Sequence, residues 1–228
     1  RVSQELNLVV GMTSDGVNDA PALKKADVGF AMGSGTEVSK GAAAITILDD
    51  NFNSVVKTVL YGRTIYNNIR KFIVFQLTIN ISAVLIAFIG PFIGMGTPLS
   101  VTQMLWVNIV MDTLAALALG GEPALDRYMD EKPKRRDESI ISKNMWSSLL
   151  VMGIYLTTAS LVFLQHPFFR SLFRQDGEMI YEGHDIDFMT GFFCFYVLSA
   201  MLNGFNARTE KINIFDNITQ NKMFLYIM

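Results

Sequence analysis

The sequence is poor in the features that mark several protein classes. Cys194 is its single cysteine, which excludes an internal disulfide and a thiolate metal cage. Neither charge sign is in surplus: 19 Lys and Arg stand against 21 Asp and Glu, a net charge of −2. That balance excludes a broad electrostatic grip on nucleic acid. There is no repeat of solenoid period and no low-complexity tract. The first residues carry neither a cationic n-region nor a cleavage signal, so they read as domain material rather than a secretory leader. What the chain has instead is apolar residues, 50% of the total, in runs too long for a disordered, collagenous or disulfide-stapled protein. Because it starts at Arg1 and stops at Met228 inside an apolar run, it is expected to be a piece of a longer protein.

The apolar residues are unevenly spread. Residues 1–55 read as part of a cytoplasmic α/β domain, with short β-type runs at Leu8-Val9-Val10 and Ala44 to Leu48 between Gly and Asp turns. From residue 52 to 72 the apolar positions Val55, Val56, Val59, Leu60, Ile65, Ile69 and Phe72 recur every three to four residues, while Arg63, Asn67, Arg70 and Lys71 fall largely off that stripe. The spacing predicts a helix, started by the capping residues Asp49-Asp50-Asn51. It continues unbroken into Phe72 to Phe88, where no charge occurs. A membrane span needs about 20 mostly apolar residues. The domain reading is therefore 1–55 cytoplasmic, 56–70 a stalk helix, and 71–228 membrane, with spans near 71–92, 101–119, 145–164 and 188–205 and another starting at 223.

Lys and Arg counts orient the spans. Arg63, Arg70 and Lys71 precede the first, Arg127, Lys132, Lys134, Arg135, Arg136 and Lys143 follow the second, and Arg208, Lys211 and Lys222 follow the fourth. Only Arg170 and Arg174 lie between the third and fourth. The N-terminal part thus faces the cytoplasm, and the fold class is a mostly α, polytopic membrane helix bundle in contact with a lipid bilayer.

Two groups of residues carry chemistry. The first is Thr13-Ser14-Asp15-Gly16-Val17-Asn18-Asp19-Ala20-Pro21, directly after the run ending at Val10. Two carboxylates and an amide in a loop after a strand make an all-oxygen site of the kind Mg²⁺ prefers, with phosphate and water supplying the rest. Gly16 lets the backbone approach closely or take a positive φ. The plainer alternative is an Asp/Gly/Asn turn with Asp19 capping a helix. The second group lies inside the spans: Asn80 in the first, and Gln103, Asn108 and Asp112 in the second. Asn108 and Asp112 are four apart, so an α-helix presents both on one face. An intramembrane carboxylate is costly and normally faces a cavity or an ion path. Amide and carboxylate oxygens suit Ca²⁺ better than a soft metal. Hydrogen bonding between helices is the alternative, strongest for Asn80 and Gln103 taken alone. Other polar features read as ordinary: Tyr181, Glu182, His184, Asp185 and Asp187 as a solvated loop, Lys134-Arg135-Arg136 as an orientation signal near lipid head groups, and Cys194 as packing among phenylalanines.

The stretch Thr13 to Pro21, Leu23-Lys24-Lys25-Ala26-Asp27-Val28-Gly29 and Ala31-Met32-Gly33-Ser34-Gly35-Thr36 closely resembles the hinge segment of P-type cation-transporting ATPases, usually TGDGxNDxPALKxAxxGxAMG-G. The likeness continues through Asp49-Asp50-Asn51-Phe52 and the stalk from Gly62 to Phe72. The resemblance implies that residues 1–55 are the C-terminal part of a Rossmann-like, haloacid-dehalogenase-type phosphorylation domain. It implies that Asp15 binds the catalytic Mg²⁺, joined by Asp19, and that Gly16, Asn18 and Asp19 support the phosphorylated site. ATP would be bound mainly by other domains. Two departures stand out: Ser14 replaces the family glycine, and no Asp-Lys-Thr-Gly-Thr segment with the phosphorylated aspartate occurs. The chain alone is therefore expected to be inactive and to need the preceding part of the same protein.

Met104 to Ala115, with Leu117-Ala118-Leu119 and Glu122-Pro123, looks like the sixth span of calcium pumps, and Phe75 to Asn80 looks like the fifth span of the plasma-membrane type. The sarcoplasmic-reticulum type has a glutamate where this chain has Ala83, and another in the eighth span near Asn203, where small residues such as Ala200 stand here. This implies one Ca²⁺ site rather than two, with Asn108 and Asp112 as ligands completed from a fourth span, and Asn80 a remnant of the lost site. The function so implied is ATP-driven Ca²⁺ export from the cytoplasm, in the plasma membrane, through an aspartyl phosphate. Competing readings are a P-type pump for Mn²⁺, Na⁺/K⁺ or H⁺, a passive cation channel or exchanger, and a soluble phosphatase of the haloacid-dehalogenase type, which four spans oppose.

Overall fold

A computed structural model describes residues 2–135, 137–173, 180–181, 184–209, 213–215 and 217–228. Arg1, Arg136, Arg174, Glu182 and Lys211, named above, lie outside the described residues. The fold class is as read: mostly helical, with a small parallel sheet and four helices long and apolar enough to cross a membrane, Phe52–Ile93, Val101–Gly120, Lys143–Gln165 and Ile186–Arg208. The chain divides into two compact units, residues 1–66 with 124–140, and residues 67–123 with 141–228.

In the first unit, helix α1 (Val2–Glu5) precedes strand β1 (Gly11–Ser14), then α2 (Ala20–Lys25), β2 (Val28–Met32), α3 (Glu37–Ala42) and β3 (Ile45–Ile47). The three strands are parallel in the order β1-β2-β3, each crossover carrying a helix. Phe30, Ile47 and Val55 form the core beneath the sheet. The strand expected at Leu8-Val9-Val10 is displaced to Gly11–Ser14. The Asp27 carboxylate accepts from the Val10 amide at 2.8 Å, and Leu8 is drawn into a bridge with Arg135, so regular pairing begins only at Gly11 opposite Val28. Backbone closeness explains the glycine of the second strand: a Cβ on Gly29 would stand 2.7 Å from the Leu23 carbonyl oxygen.

Helix α4 (Phe52–Ile89) follows, capped by Asn51, whose side chain accepts from the Asn53 amide at 2.9 Å. Asp49 accepts the Ser54 hydroxyl at 2.7 Å, which holds its carboxyl below the usual range. In the first unit, Arg63 of α4 donates from Nη1 to the carbonyls of Tyr128, Met129 and Glu131 at 2.6, 3.1 and 2.9 Å, fixing the 124–140 segment. Lys134 lies over the Tyr66 ring and Arg135 pairs with Asp137.

The second unit contains the remainder of α4, then α5 (Val101–Trp106), a π-helical turn at Val107–Met111, α6 (Asp112–Gly120), α7 (Lys143–Gln165), α8 (Pro167–Phe173), the two-residue strands β4 (Ile180–Tyr181) and β5 (His184–Asp185), α9 (Ile186–Arg208) and α10 (Lys222–Ile227). Ser100 and Gln103 form a reciprocal cap on α5, and Asn221 caps α10. The core runs through Phe75, Ile79 and Ile86 of α4, Leu119 of α6, Phe163 of α7, and Phe188, Phe192 and Tyr196 of α9. Cys194 is exposed on α9, not packed among phenylalanines: helical spacing points Phe188, Phe192 and Tyr196 inward and Cys194 away.

Candidate functional site

The loop that resembles the hinge segment leaves β1 at Ser14 and enters a 3₁₀ turn at Val17–Asp19 before α2. Asp15, Asn18 and Asp19 are all exposed. Ser14 Oγ donates to Asp19 Oδ2 at 2.6 Å and accepts from the Gly16 amide at 3.3 Å. The side chain of Asp19 therefore does not cap α2, where no side-chain cap bond forms. From the other side, Ser39 Oγ lies 3.1 Å from the Asp15 carbonyl and 2.8 Å from that of Gly16, and the Thr36 amide donates to the Asp15 carbonyl at 3.2 Å. Gly35 permits this approach, since a Cβ there would lie 3.2 Å from Asp15 Cα. Gly16 differs from expectation: its φ of −89° is ordinary extended backbone, and a Cβ would meet nothing closer than 3.7 Å. Two exposed carboxylates with an amide and a hydroxyl are hard oxygen donors, a set that fits Mg²⁺.

Within the membrane-spanning unit, Asn80, Ala83, Gln103, Asn108 and Tyr196 line one cavity of about 200 Å³. Asp112 is not on that lining; its Oδ2 accepts from Gln76 Nε2 at 2.8 Å, and its Oδ1 is buried with no hydrogen-bond partner. The reading that Asn108 and Asp112 share an α-helical face needs correction. The turn containing Asn108 is π-helical, so the α spacing does not hold between them. Gln103 is committed elsewhere: its Oε1 accepts from the Ser100 amide at 2.9 Å. Tyr196 donates to the Ile79 carbonyl at 2.9 Å and shares a hydrogen bond with Ser82 Oγ at 2.9 Å. Among the described residues no group of three His, Cys, Asp or Glu side chains comes together.

Sequence reasoning assigned no role to Gln76, Tyr196, Thr36 or Ser39. Gln76 did leave a signal, being a polar residue four before Asn80 in a largely apolar run. Thr36 and Ser39 left only a cap pattern, which the structure shows as Thr36 Oγ1 accepting from the Ser39 amide.

Residues 96–228 match the family described as "Cation transporting ATPase, C-terminus". The chain is 42% identical over 229 residues to the plasma membrane calcium-transporting ATPase 3 of Rattus norvegicus, covering 98% of this chain and 18% of that protein. It is 42% identical over 231 residues to calcium-transporting ATPase 8, plasma membrane-type, of Arabidopsis thaliana, covering 96% and 20%. With calcium-transporting ATPase 12, plasma membrane-type, of the same plant, identity is 44% over 222 residues, covering 96% and 20%. The chain thus spans about a fifth of the length of the curated relatives it matches. With apolar helices of spanning length and a match over more than half its residues, this integral, multi-pass membrane chain belongs to the cation-transporting ATPase family.

Proposed function

We propose that this chain is the hinge and membrane part of an ATP-driven pump that exports Ca²⁺ across the plasma membrane through an aspartyl phosphate. The observation that carries the reading is Asp112: a carboxylate inside an apolar span, directly after a π turn, with one oxygen buried and unpartnered. That is a costly arrangement for a structural residue and a suitable one for a hard divalent cation.

In this reading Asp15 and Asp19 would hold Mg²⁺, which when bound would supply positive charge to neutralise the transferred phosphoryl group. Ser14 sets the Asp19 carboxylate by its hydrogen bond, and Asn18 offers an amide beside it. Thr36 and Ser39 hold the Asp15 and Gly16 carbonyls, so the carboxylates are presented from a fixed loop. The phosphoryl-accepting aspartate belongs to the rest of the full-length pump. At the proposed ion site Asp112 supplies the charge; Asn108, which lines a cavity that Asp112 does not line, is assigned an amide-oxygen ligand on the resemblance to calcium pumps alone. Asn80 lines the same cavity as Asn108 and contributes at most a weak ligand. Helix α4, unbroken over 38 residues, is assigned the coupling role, because a continuous helix has few soft joints. The plasma-membrane relatives support Ca²⁺ as the cargo.

The test is ATP-driven ⁴⁵Ca²⁺ uptake into inside-out vesicles bearing the full-length pump, with and without vanadate. Vanadate-sensitive uptake near one Ca²⁺ per ATP is expected. A ratio near two would overturn the single site. ATPase activity without Ca²⁺ uptake would mean a different ion, and uptake insensitive to vanadate would point to a passive carrier.

A further inference from the structure

The Gln76 and Asp112 side chains meet inside an apolar bundle, and their pairing is unequal. Gln76 Nε2 lies 2.8 Å from Asp112 Oδ2, well within hydrogen-bond distance for an amide donor and a carboxylate acceptor. The amide has one attractive orientation here, because turning its carbonyl oxygen toward the carboxylate would set two acceptors against each other. One oxygen of Asp112 is therefore fixed. The other, Oδ1, is buried and has no partner. An orphaned buried oxygen in a native site calls for a physical reason. If the pair only joined two helices, an amide side chain would do the same without placing a carboxyl group inside a span.

Resting on the proposed function above, we propose that Gln76 is a positioning residue for the transported cation: it locks Asp112 through Oδ2 so that Oδ1 is the oxygen offered to Ca²⁺. The adjoining π turn at Val107–Met111 supports this, since such turns re-aim side chains and are frequent at functional sites. Gln76 is then an outer partner of a metal-binding carboxylate, a kind of residue whose loss typically costs 10–100-fold in metal affinity.

The test is equilibrium ⁴⁵Ca²⁺ binding to the full-length pump without ATP, beside its phosphorylation by inorganic phosphate in Mg²⁺ without Ca²⁺. Gln76→Met keeps length and shape but has no donor. It is expected to weaken Ca²⁺ binding by about 10-fold, with the turnover at saturating Ca²⁺ and the phosphate reaction unchanged. Wild-type Ca²⁺ affinity in this variant would overturn the inference, as would a parallel loss of the phosphate reaction, which marks a merely structural role. Asp112→Asn, which can still accept from Gln76, separates the two levels. If it loses Ca²⁺ binding while Gln76→Met does not, only the positioning role falls. If it binds Ca²⁺ normally, the ion site itself is wrong and both fall.

Discussion

The Arg208 guanidinium, 2% exposed at the end of α9, meets the Glu122 carboxylate at 3.4 Å just beyond α6. Glu122 is the meeting point of two cations and an amide: Lys71 Nζ lies 3.3 Å from its Oε2, and Asn221 Nδ2 donates to its Oε1 at 2.7 Å. Asn221 also donates to the Ala118 carbonyl, and Asn68 Nδ2 to the carbonyls of Gly120 and Glu122. One buried carboxylate thereby ties α4, α6, α9 and the start of α10. Breaking such a pair from one side leaves uncompensated charge, at a cost of about 3–5 kcal/mol. Glu122→Ala is expected to lower stability by that order, and Glu122→Ala with Arg208→Met to recover part of it. Thermal unfolding in detergent would show this; equal midpoints for Glu122→Ala and wild type would refute it.

The glycines of the first unit make a sharper contrast. A Cβ on Gly35 would stand 2.9 Å from the Met32 carbonyl oxygen and 3.2 Å from the Asp15 backbone, so Gly35→Ala must displace the Asp15 loop. Gly41 in α3 and Gly62 in α4 have nothing within 4 Å. Gly35→Ala is expected to cut phosphoenzyme formation at least ten-fold. Gly62→Ala is expected to preserve it and raise stability by about 0.5–1 kcal/mol, since glycine is a poor helix residue. Phosphorylation from ATP with paired melting curves separates the two.

Ser14, which stands where the resembled family has glycine, makes two hydrogen bonds within its loop. Ser14→Gly removes both the hydroxyl on Asp19 and the acceptor for the Gly16 amide. The expected result is a rise of a few-fold in the Mg²⁺ needed for half-maximal phosphorylation, with the maximal rate retained. A fall in that Mg²⁺ requirement would show that the serine hinders the site.

Asp50 gives a pH prediction. It adopts a φ of 49°, and its carboxylate accepts from the Ser34 amide at 3.0 Å, which holds its carboxyl below the ordinary value. A group with a depressed folded-state pKa contributes stability above its unfolded pKa and loses it as pH falls through the folded value. Asp50→Asn tolerates the positive φ and removes the titration. Melting curves from pH 6 down to 3 should be less acid-sensitive in Asp50→Asn than in wild type; parallel curves would contradict this.

Local structure was legible in the sequence. Run length and 3.6-residue spacing mark the spans, because an apolar stretch without charge leaves few alternatives to a membrane helix. The order Asp15, Gly16, Asn18, Asp19 marks an oxygen-rich turn because neighbours in a tight turn are neighbours in space. Asn51 was legible as a cap for the same reason. Tertiary packing decided what lies far apart in the chain. Arg208 reads as a loop charge that orients the protein, yet it is buried on Glu122, 86 residues away. Strand β1 begins three residues later than the apolar run suggests, because Asp27 and Arg135 claim the backbone before it. The π turn is invisible to an α-helical period, and with it went the shared face of Asn108 and Asp112. The sequence by itself determined the elements, the membrane character and the oxygen-rich residue types, since these depend on local spacing and composition. Only the tertiary structure decided that Asp112 faces Gln76 and that Asn80 and Asn108 share a cavity, because side chains on different helices meet through packing that no single window of sequence encodes.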